Sequence, residues 1–122
     1  RRGGTFDLKA HAITPIVNLA RWGGLSVGLA SASTPARLAA ASGNGFLADR
    51  DVDILTEVFT LLQRLRLGHQ IEQLEAGLAP GDVLVMGELS AIERSVLGDG
   101  VREIAAVQRR VGYLASNVGV RP

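Results

Sequence analysis

The sequence predicts an all-α domain, a bundle-like arrangement of four helices of which two are long and two are shorter. Three observations predict it: helix start signals recur along the chain, apolar residues recur at helical spacing in two long segments, and no βαβ pattern or repeat interrupts them. With 122 residues, 47% of them hydrophobic, the chain suits one domain with its own core. We expect a bundle over residues 7–118 and a linker end over residues 1–6.

Start signals place the two shorter helices. Thr14-Pro15 carries the cap and first-turn residues of a helix, so the first helix is predicted to begin there and to run to about Gly28. Ser33-Thr34-Pro35 repeats the signal, and a second short helix is predicted to end at Gly43.

The two longer helices follow. Asp49 and the acidic residues after it suit a helix N-terminus, and a third helix is predicted from Asp49 to Ala76. Ser90 and Glu93 form a capping box that starts a fourth helix. Its predicted buried stripe consists of Ile104, Val107, Val111 and Leu114.

The connector between the long helices contains a short apolar run, Val83 to Met86. Gly77, Pro80 and Gly81 precede it and end the third helix. A strand is possible in this run, but the sequence offers it no obvious partner. We therefore predict an extended or irregular connector.

The third helix changes character along one face. At about 100° per residue, Leu55, Phe59 and Leu62 share a stripe. The same stripe continues with four polar residues, Arg66, His69, Gln70 and Gln73. Apolar residues move to the opposite side, at Leu67, Ile71 and Leu74. The late half of this helix should therefore bury a different surface from the early half.

Composition excludes several classes of function. The 13 basic and 12 acidic residues nearly cancel, which argues against a nucleic-acid or anionic-membrane partner. The chain has no cysteine, so it has no disulfide framework or thiolate metal site and is compatible with the cytoplasm. No apolar run approaches the roughly 20 residues that span a bilayer. Because the chain begins with Arg1 instead of Met, we expect it to be a piece of a longer protein.

Several sequence pieces occur together in a pattern that resembles one family. They are Asp7-Leu8-Lys9, Pro15-Ile16-Val17 with Arg21, Leu65-Arg66-Leu67 with His69-Gln70 and Gln73, Leu89-Ser90 with Glu93-Arg94, and Gln108. The set resembles the nucleotidyltransferase substrate-binding domain found at the C-terminus of bacterial signalling proteins. Those proteins combine cyclic-nucleotide-binding and CBS modules with a nucleotidyltransferase-like core related to protein-PII uridylyltransferases. The resemblance covers residues 5–115.

The resemblance implies an accessory domain that helps to position nucleotide or acceptor for nucleotidyl transfer by a separate catalytic domain. It implies no catalytic residue, metal ligand or cofactor here, so this fragment alone should be inactive, whereas Mg²⁺ and a nucleoside triphosphate would belong to the parent protein. The implied partners are the upstream nucleotidyltransferase, CBS and cyclic-nucleotide modules, with a homodimer possible. The implied substrate-binding residues are Lys9, Arg21, Arg66, His69, Gln70 and Gln73.

Two alternatives stay open at this stage. The first concerns the polar stripe, which could be a network joining helices, with Arg66 paired to an acid such as Asp7, Glu93 or Glu103. The second concerns function: the chain could be an interaction or dimerisation module that couples the sensory modules and binds no ligand.

Other polar and aromatic residues favour structural interpretations. Asp51 and Asp53 point about 200° apart on a helix and cannot share one Mg²⁺ ion, so both are interpreted as helix-start charges. Arg109-Arg110 is interpreted as part of a solvated face. Trp22 is interpreted as a packing residue, although an exposed Trp could instead anchor a neighbouring domain. Gly98-Asp99-Gly100 departs from the family pattern, which usually continues a helix there with a basic residue.

Overall fold

The computed structural model describes residues 4–26, 33–43 and 47–117, and these form an all-α, bundle-like fold with one small sheet. None of the helices in these ranges combines the length and the apolar composition of a membrane span. In chain order the elements are β1 (Thr5–Asp7), a π-helix (Lys9–Ile13), α1 (Thr14–Ser26), α2 (Thr34–Gly43), α3 (Asp49–Glu75), β2 (Val83–Val85), a 3₁₀ turn (Met86–Glu88) and α4 (Ala91–Asn117).

The connector between the long helices is a strand with a partner. β2 pairs antiparallel with β1, with Phe6 opposite Leu84. The N–H of Leu8 donates to the Asp82 carbonyl at 2.8 Å and extends the pairing. The prediction that this run lacks a partner was wrong, and Thr5 and Phe6 lie in a strand instead of a linker end. Strand pairing is a long-range contact that local sequence patterns do not reveal.

A π-helix precedes the first predicted helix. Helical backbone starts at Leu8, and the π-helix Lys9–Ile13 joins α1 directly. Asp7 caps this start, because its Oδ1 accepts the N–H of Ala10 at 2.9 Å. The widened turn precedes Pro15, whose ring would crowd the carbonyl four residues before it in a regular α-helix. The prediction that an α-helix starts at Thr14 is confirmed, but Thr14 continues a helical segment instead of capping a free helix end, because the π-helix precedes it.

The other helix signals are confirmed. The Ser33 hydroxyl accepts the N–H of Ala36 at 3.3 Å, and α3 is followed by Gly77 in the left-handed region at φ 79°. In the capping box, the N–H of Ser90 donates to Glu93 at 2.8 Å, and the N–H of Glu93 donates to the Ser90 hydroxyl at 3.1 Å. The predicted helix end at Gly28 and the side chain of Leu114 lie outside the described part of the chain.

One core joins all of these elements. Ile104 and Val107 of the predicted α4 stripe are buried, and Val111 packs at the edge. The largest fully buried side chains come from both halves of the chain: Leu8, Ile16, Leu38, Leu47, Leu55, Leu62, Leu84 and Val107. Burial of these side chains is the main stabilising contribution.

A glycine allows the two long helices to approach each other. α4 continues without a break through Gly98-Asp99-Gly100. Gly100 is buried, and a Cβ there would lie 3.2 Å from Cγ1 of Val58 and 3.8 Å from Cδ2 of Leu62. Gly100, which belongs to the segment that departs from the family pattern, therefore allows a close contact between α3 and α4.

An ion pair also links the long helices. Asp51 is only 5% exposed, and both of its oxygens lie 3.1 Å from Nε of Arg110. The hydrogen bond to Asp51 raises the pKa of the Arg110 guanidinium above its ordinary value. Asp51 lies in the first turn of α3, as predicted, but it is also buried and paired. Arg109 and Arg110 are both exposed, as predicted, and Arg110 in addition holds Asp51.

Trp22 is 64% exposed, so its interpretation as a packing residue was wrong. Its alternative role, as an anchor for a neighbouring domain, stays a prediction.

Enlarging Gly100 should destabilise the domain. Gly100→Leu should lower the free energy of unfolding by about 1–3 kcal/mol, because the added side chain would overpack the contact with Val58. Urea unfolding followed by circular dichroism at 222 nm measures the change. Gly98→Ala is the matched control: an added Cβ there meets only the flexible end of Arg102 at 3.5 Å, so helix propensity should stabilise α4 by up to about 1 kcal/mol. Equal effects of the two substitutions would contradict this packing.

Candidate functional site

The polar stripe on α3 faces the turn formed by residues 77–82, which we call the 77–82 turn. Nε of Arg66 donates to Oδ1 of Asp82 at 2.5 Å, and Nη2 donates to Oδ2 at 3.2 Å. The two side chains are 30% and 18% exposed. Such a two-point pair fixes orientation as well as distance. A polar network is therefore present, but the partner of Arg66 is Asp82 and not Asp7, Glu93 or Glu103.

Both glutamines of the stripe hold the same turn. Oε1 of Gln73 accepts the N–H of Gly81 at 2.9 Å, and Nε2 of Gln70 donates to the Gly81 carbonyl at 3.4 Å. The N–H of Leu78 donates to the Gln73 carbonyl at 2.8 Å. The stripe thus supplies partners for backbone groups that a tight turn leaves without them.

The anchored turn forms one wall of an open cleft, which we call the Lys9 cleft. Its lining residues are Asp7, Lys9, Ala10, Thr14, Asp82 and Val83, and its volume is about 460 Å³. The opposite wall is the end of β1 and the first helical turns. The cleft therefore forms only because the 77–82 turn and the Asp7 cap lie side by side.

The charged groups of the cleft differ in how they are engaged. Asp82 is paired with Arg66, and Oδ1 of Asp7 accepts the Ala10 N–H. Lys9 is exposed, and within the described ranges its ammonium has neither an ion pair nor a hydrogen bond. Lys9 is also the single lysine of the sequence. It is thus the cation of the cleft that is available to a ligand.

The remaining predicted site residues lie in different places. His69 is half-buried on the polar stripe, and its Nε2 is buried without a hydrogen-bond partner among the described residues. Arg21 is exposed on α1 and does not line the Lys9 cleft. The structure therefore brings Arg66, Gln70 and Gln73 together on the turn beside Lys9, and leaves Arg21 apart. Whether any of these residues binds substrate stays a prediction.

Sequence reasoning missed Asp82, the residue that joins the stripe to the cleft. Arg66 and Asp82 are 16 positions apart, which no helical spacing connects. A signal was nevertheless present. A helix that ends at Gly77 and is followed by Pro80-Gly81 turns back on itself, which brings the next side chain towards the last turns of the helix.

Asp51 and Asp53, two carboxylates near the start of α3, lie in different surroundings. Both oxygens of Asp51 accept hydrogen bonds from Arg110, and Asp53 is exposed. Over the described ranges, no group of three or more His, Cys, Asp or Glu residues is placed to hold a metal ion.

Comparison with known proteins gives one family. Residues 1–114 match the family model described as "Putative nucleotidyltransferase substrate binding domain". No curated protein and no solved structure matches the chain. The matched range includes β1, β2, the Lys9 cleft and the polar stripe.

The Arg66–Asp82 pair should be energetically coupled. In a double-mutant cycle with Arg66→Met and Asp82→Asn, the coupling free energy should be about 1–2 kcal/mol, because the pair is charge-assisted and mostly shielded from solvent. Urea unfolding of the single and double variants measures it. Arg102 and Asp99 provide the control: their side chains are 72% and 65% exposed, and their coupling should be about 0.5 kcal/mol or less. Equal coupling in the two pairs would contradict a structural role for Arg66–Asp82.

Proposed function

Because this chain belongs to the nucleotidyltransferase substrate-binding domain family, we propose that it positions a nucleotide or an acceptor for nucleotidyl transfer by a separate catalytic domain. The observation that carries this proposal is the Lys9 cleft, where a free ammonium lies beside carboxylates whose positions are fixed by other contacts. The cleft is open enough for a ligand that is also held by another domain.

Lys9 is the residue best placed for a phosphate group. A lysine ammonium carries three donors on a flexible stem and binds phosphate as a point charge. Its neighbour Asp82 is neutralised by Arg66, so the negative charge near the ammonium is smaller than the lining residues alone would give. Lys9 would therefore contact the ligand's phosphates, and Arg66 would act indirectly by holding Asp82.

Asp7 and Thr14 are suited to bind the ribose of the nucleotide. Oδ1 of Asp7 is used in the helix cap, whereas Oδ2 of Asp7 can accept a hydrogen bond from a ribose hydroxyl. Thr14 lines the same cleft and adds a hydroxyl that both donates and accepts. Gln70 and Gln73 keep the 77–82 turn in place, so they would shape the site without touching the ligand.

The remaining groups support an accessory role in a larger assembly. The described part of the chain has no carboxylate cluster for a metal, so Mg²⁺ and the reacting triphosphate would be held by the catalytic domain. Arg21 is exposed and outside the cleft, which suits contact with that domain or with upstream CBS or cyclic-nucleotide modules of a signalling protein. The cysteine-free sequence supports a reducing cytoplasm as the location.

Removal of the Lys9 charge should weaken nucleotide binding. The 122-residue chain is titrated with ATP, GTP, CTP and UTP, and binding is followed by NMR chemical-shift changes. Lys9→Gln should raise the dissociation constant of the preferred nucleotide about tenfold or more, because a charge-assisted hydrogen bond to phosphate is lost.

Arg109→Gln provides the matched control, because it also removes one positive charge but lies on an exposed part of α4. The Arg109→Gln variant should bind the preferred nucleotide with the same affinity as the unsubstituted chain. If the unsubstituted chain binds none of the nucleotides, or if Lys9→Gln binds as tightly as Arg109→Gln, the Lys9 cleft is not a nucleotide site.

A further inference from the structure

A second side of α3, about a third of a turn away from the polar stripe, carries exposed apolar residues. Leu67, Ile71 and Leu74 are 61%, 46% and 59% exposed, and we call them the α3 stripe. No residue that the structure describes covers them. Contiguous exposed apolar side chains are costly in water, and they commonly mark an interaction surface.

The rest of this outer face is polar. Continuing towards the N-terminus at the same alternating spacing of four and three, the face consists of Arg64, Thr60, Glu57 and Asp53, all exposed. The outer face is thus polar in the first half of α3 and apolar in the second, which is the reverse of the inner face. The apolar stripe is therefore confined to the last three turns of the helix.

The spacing of the α3 stripe suits a second helix. Positions 67, 71 and 74 are separated by four and then three residues, the a and d spacing of a heptad repeat. Side chains at this spacing form a narrow seam that interdigitates with an equally narrow seam. The occupant best matched to the stripe is therefore a helix with the same pattern, such as another copy of α3.

Charge complementarity identifies the orientation of that copy. Arg64 lies at one end of the α3 stripe and Glu75 at the other, and both side chains are exposed. Neither has an ion-pair partner in the part of the chain that the structure describes. We propose that two copies of this chain form a symmetric dimer in which their α3 helices pack antiparallel through the α3 stripe.

The antiparallel arrangement brings Arg64 of each copy towards Glu75 of the other. A parallel arrangement would instead place the two Arg64 guanidiniums opposite each other, which is unfavourable. Opposite charges at the ends of an apolar seam also fix its register. The twofold symmetry forms an Arg64–Glu75 ion pair at each end of the α3 stripe, as an interface between identical surfaces requires.

Gly68 lies near the twofold axis of this arrangement. It is exposed, and a Cβ added there would meet no atom within 4 Å, so the two backbones can approach closely. No residue of the α3 stripe lines the Lys9 cleft, and neither do Arg64, Gly68 and Glu75. Dimerisation would therefore leave the Lys9 cleft of each copy accessible, which makes this inference independent of the proposed ligand.

Sedimentation velocity of the 122-residue chain across a range of concentrations tests the dimer. A seam of three apolar residues per copy is small, so we expect a dissociation constant in about the micromolar range. Ile71→Glu should raise it at least tenfold. Ile92→Glu is the matched control, because Ile92 is a 76% exposed isoleucine on another helix, and it should leave the dimer unchanged.

Charge reversal tests the register. Arg64→Glu and Glu75→Arg should each weaken the dimer, and the double variant should restore it. Because the chain has no cysteine, Gly68→Cys should form a disulfide-linked dimer on oxidation, whereas Leu74→Cys should not, since only residues near the twofold axis meet their own copies.

Circular dichroism of each variant at 222 nm is the control measurement for folding. A chain that stays monomeric at all concentrations overturns the proposal, and so does a dimer that Ile71→Glu and Ile92→Glu affect equally. If both Arg64→Glu and Glu75→Arg are without effect, or if Leu74→Cys cross-links in preference to Gly68→Cys, the antiparallel arrangement is overturned.

Discussion

The ion pair between Arg66 and Asp82 is the contact on which the arrangement of the candidate site depends. It joins α3 to a turn that the chain reaches 16 residues later, and the Asp82 carbonyl in turn accepts the N–H of Leu8 at 2.8 Å. Three segments far apart in sequence are thereby held at one place. Both charges are partly shielded from solvent, so loss of one partner would leave the other poorly compensated.

The same place is where a strand becomes a helix. Asp7 ends β1 and caps the helical turn that follows it. The π-helix Lys9–Ile13 then sets the direction in which the first helical side chains leave the sheet. π-helical turns are frequent at functional sites, and here the turn carries Lys9. The position of this lysine is therefore a product of the cap, the π-helix and the sheet together.

α3 supports two separate tasks on its two faces. Its inner face packs the core in the first half and holds the 77–82 turn in the second. Its outer face is polar first and then apolar. Both faces of α3 change between apolar and polar character midway along the helix. One face can therefore pack within the domain while the other presents an apolar surface for binding. This division suits the proposal that the outer face of α3 packs against a second copy of the chain.

The sequence by itself determined the helical class, the caps of three helices and the change of character along α3, because these depend on short-range spacing and local hydrogen bonds. Only the tertiary structure decided the partners: Val83–Val85 with Thr5–Asp7, Arg66 with Asp82, and Asp51 with Arg110. Each partnership joins residues that no periodicity relates. Which charge a side chain meets is fixed when distant segments pack, so composition and spacing identified the polar stripe but not what it holds.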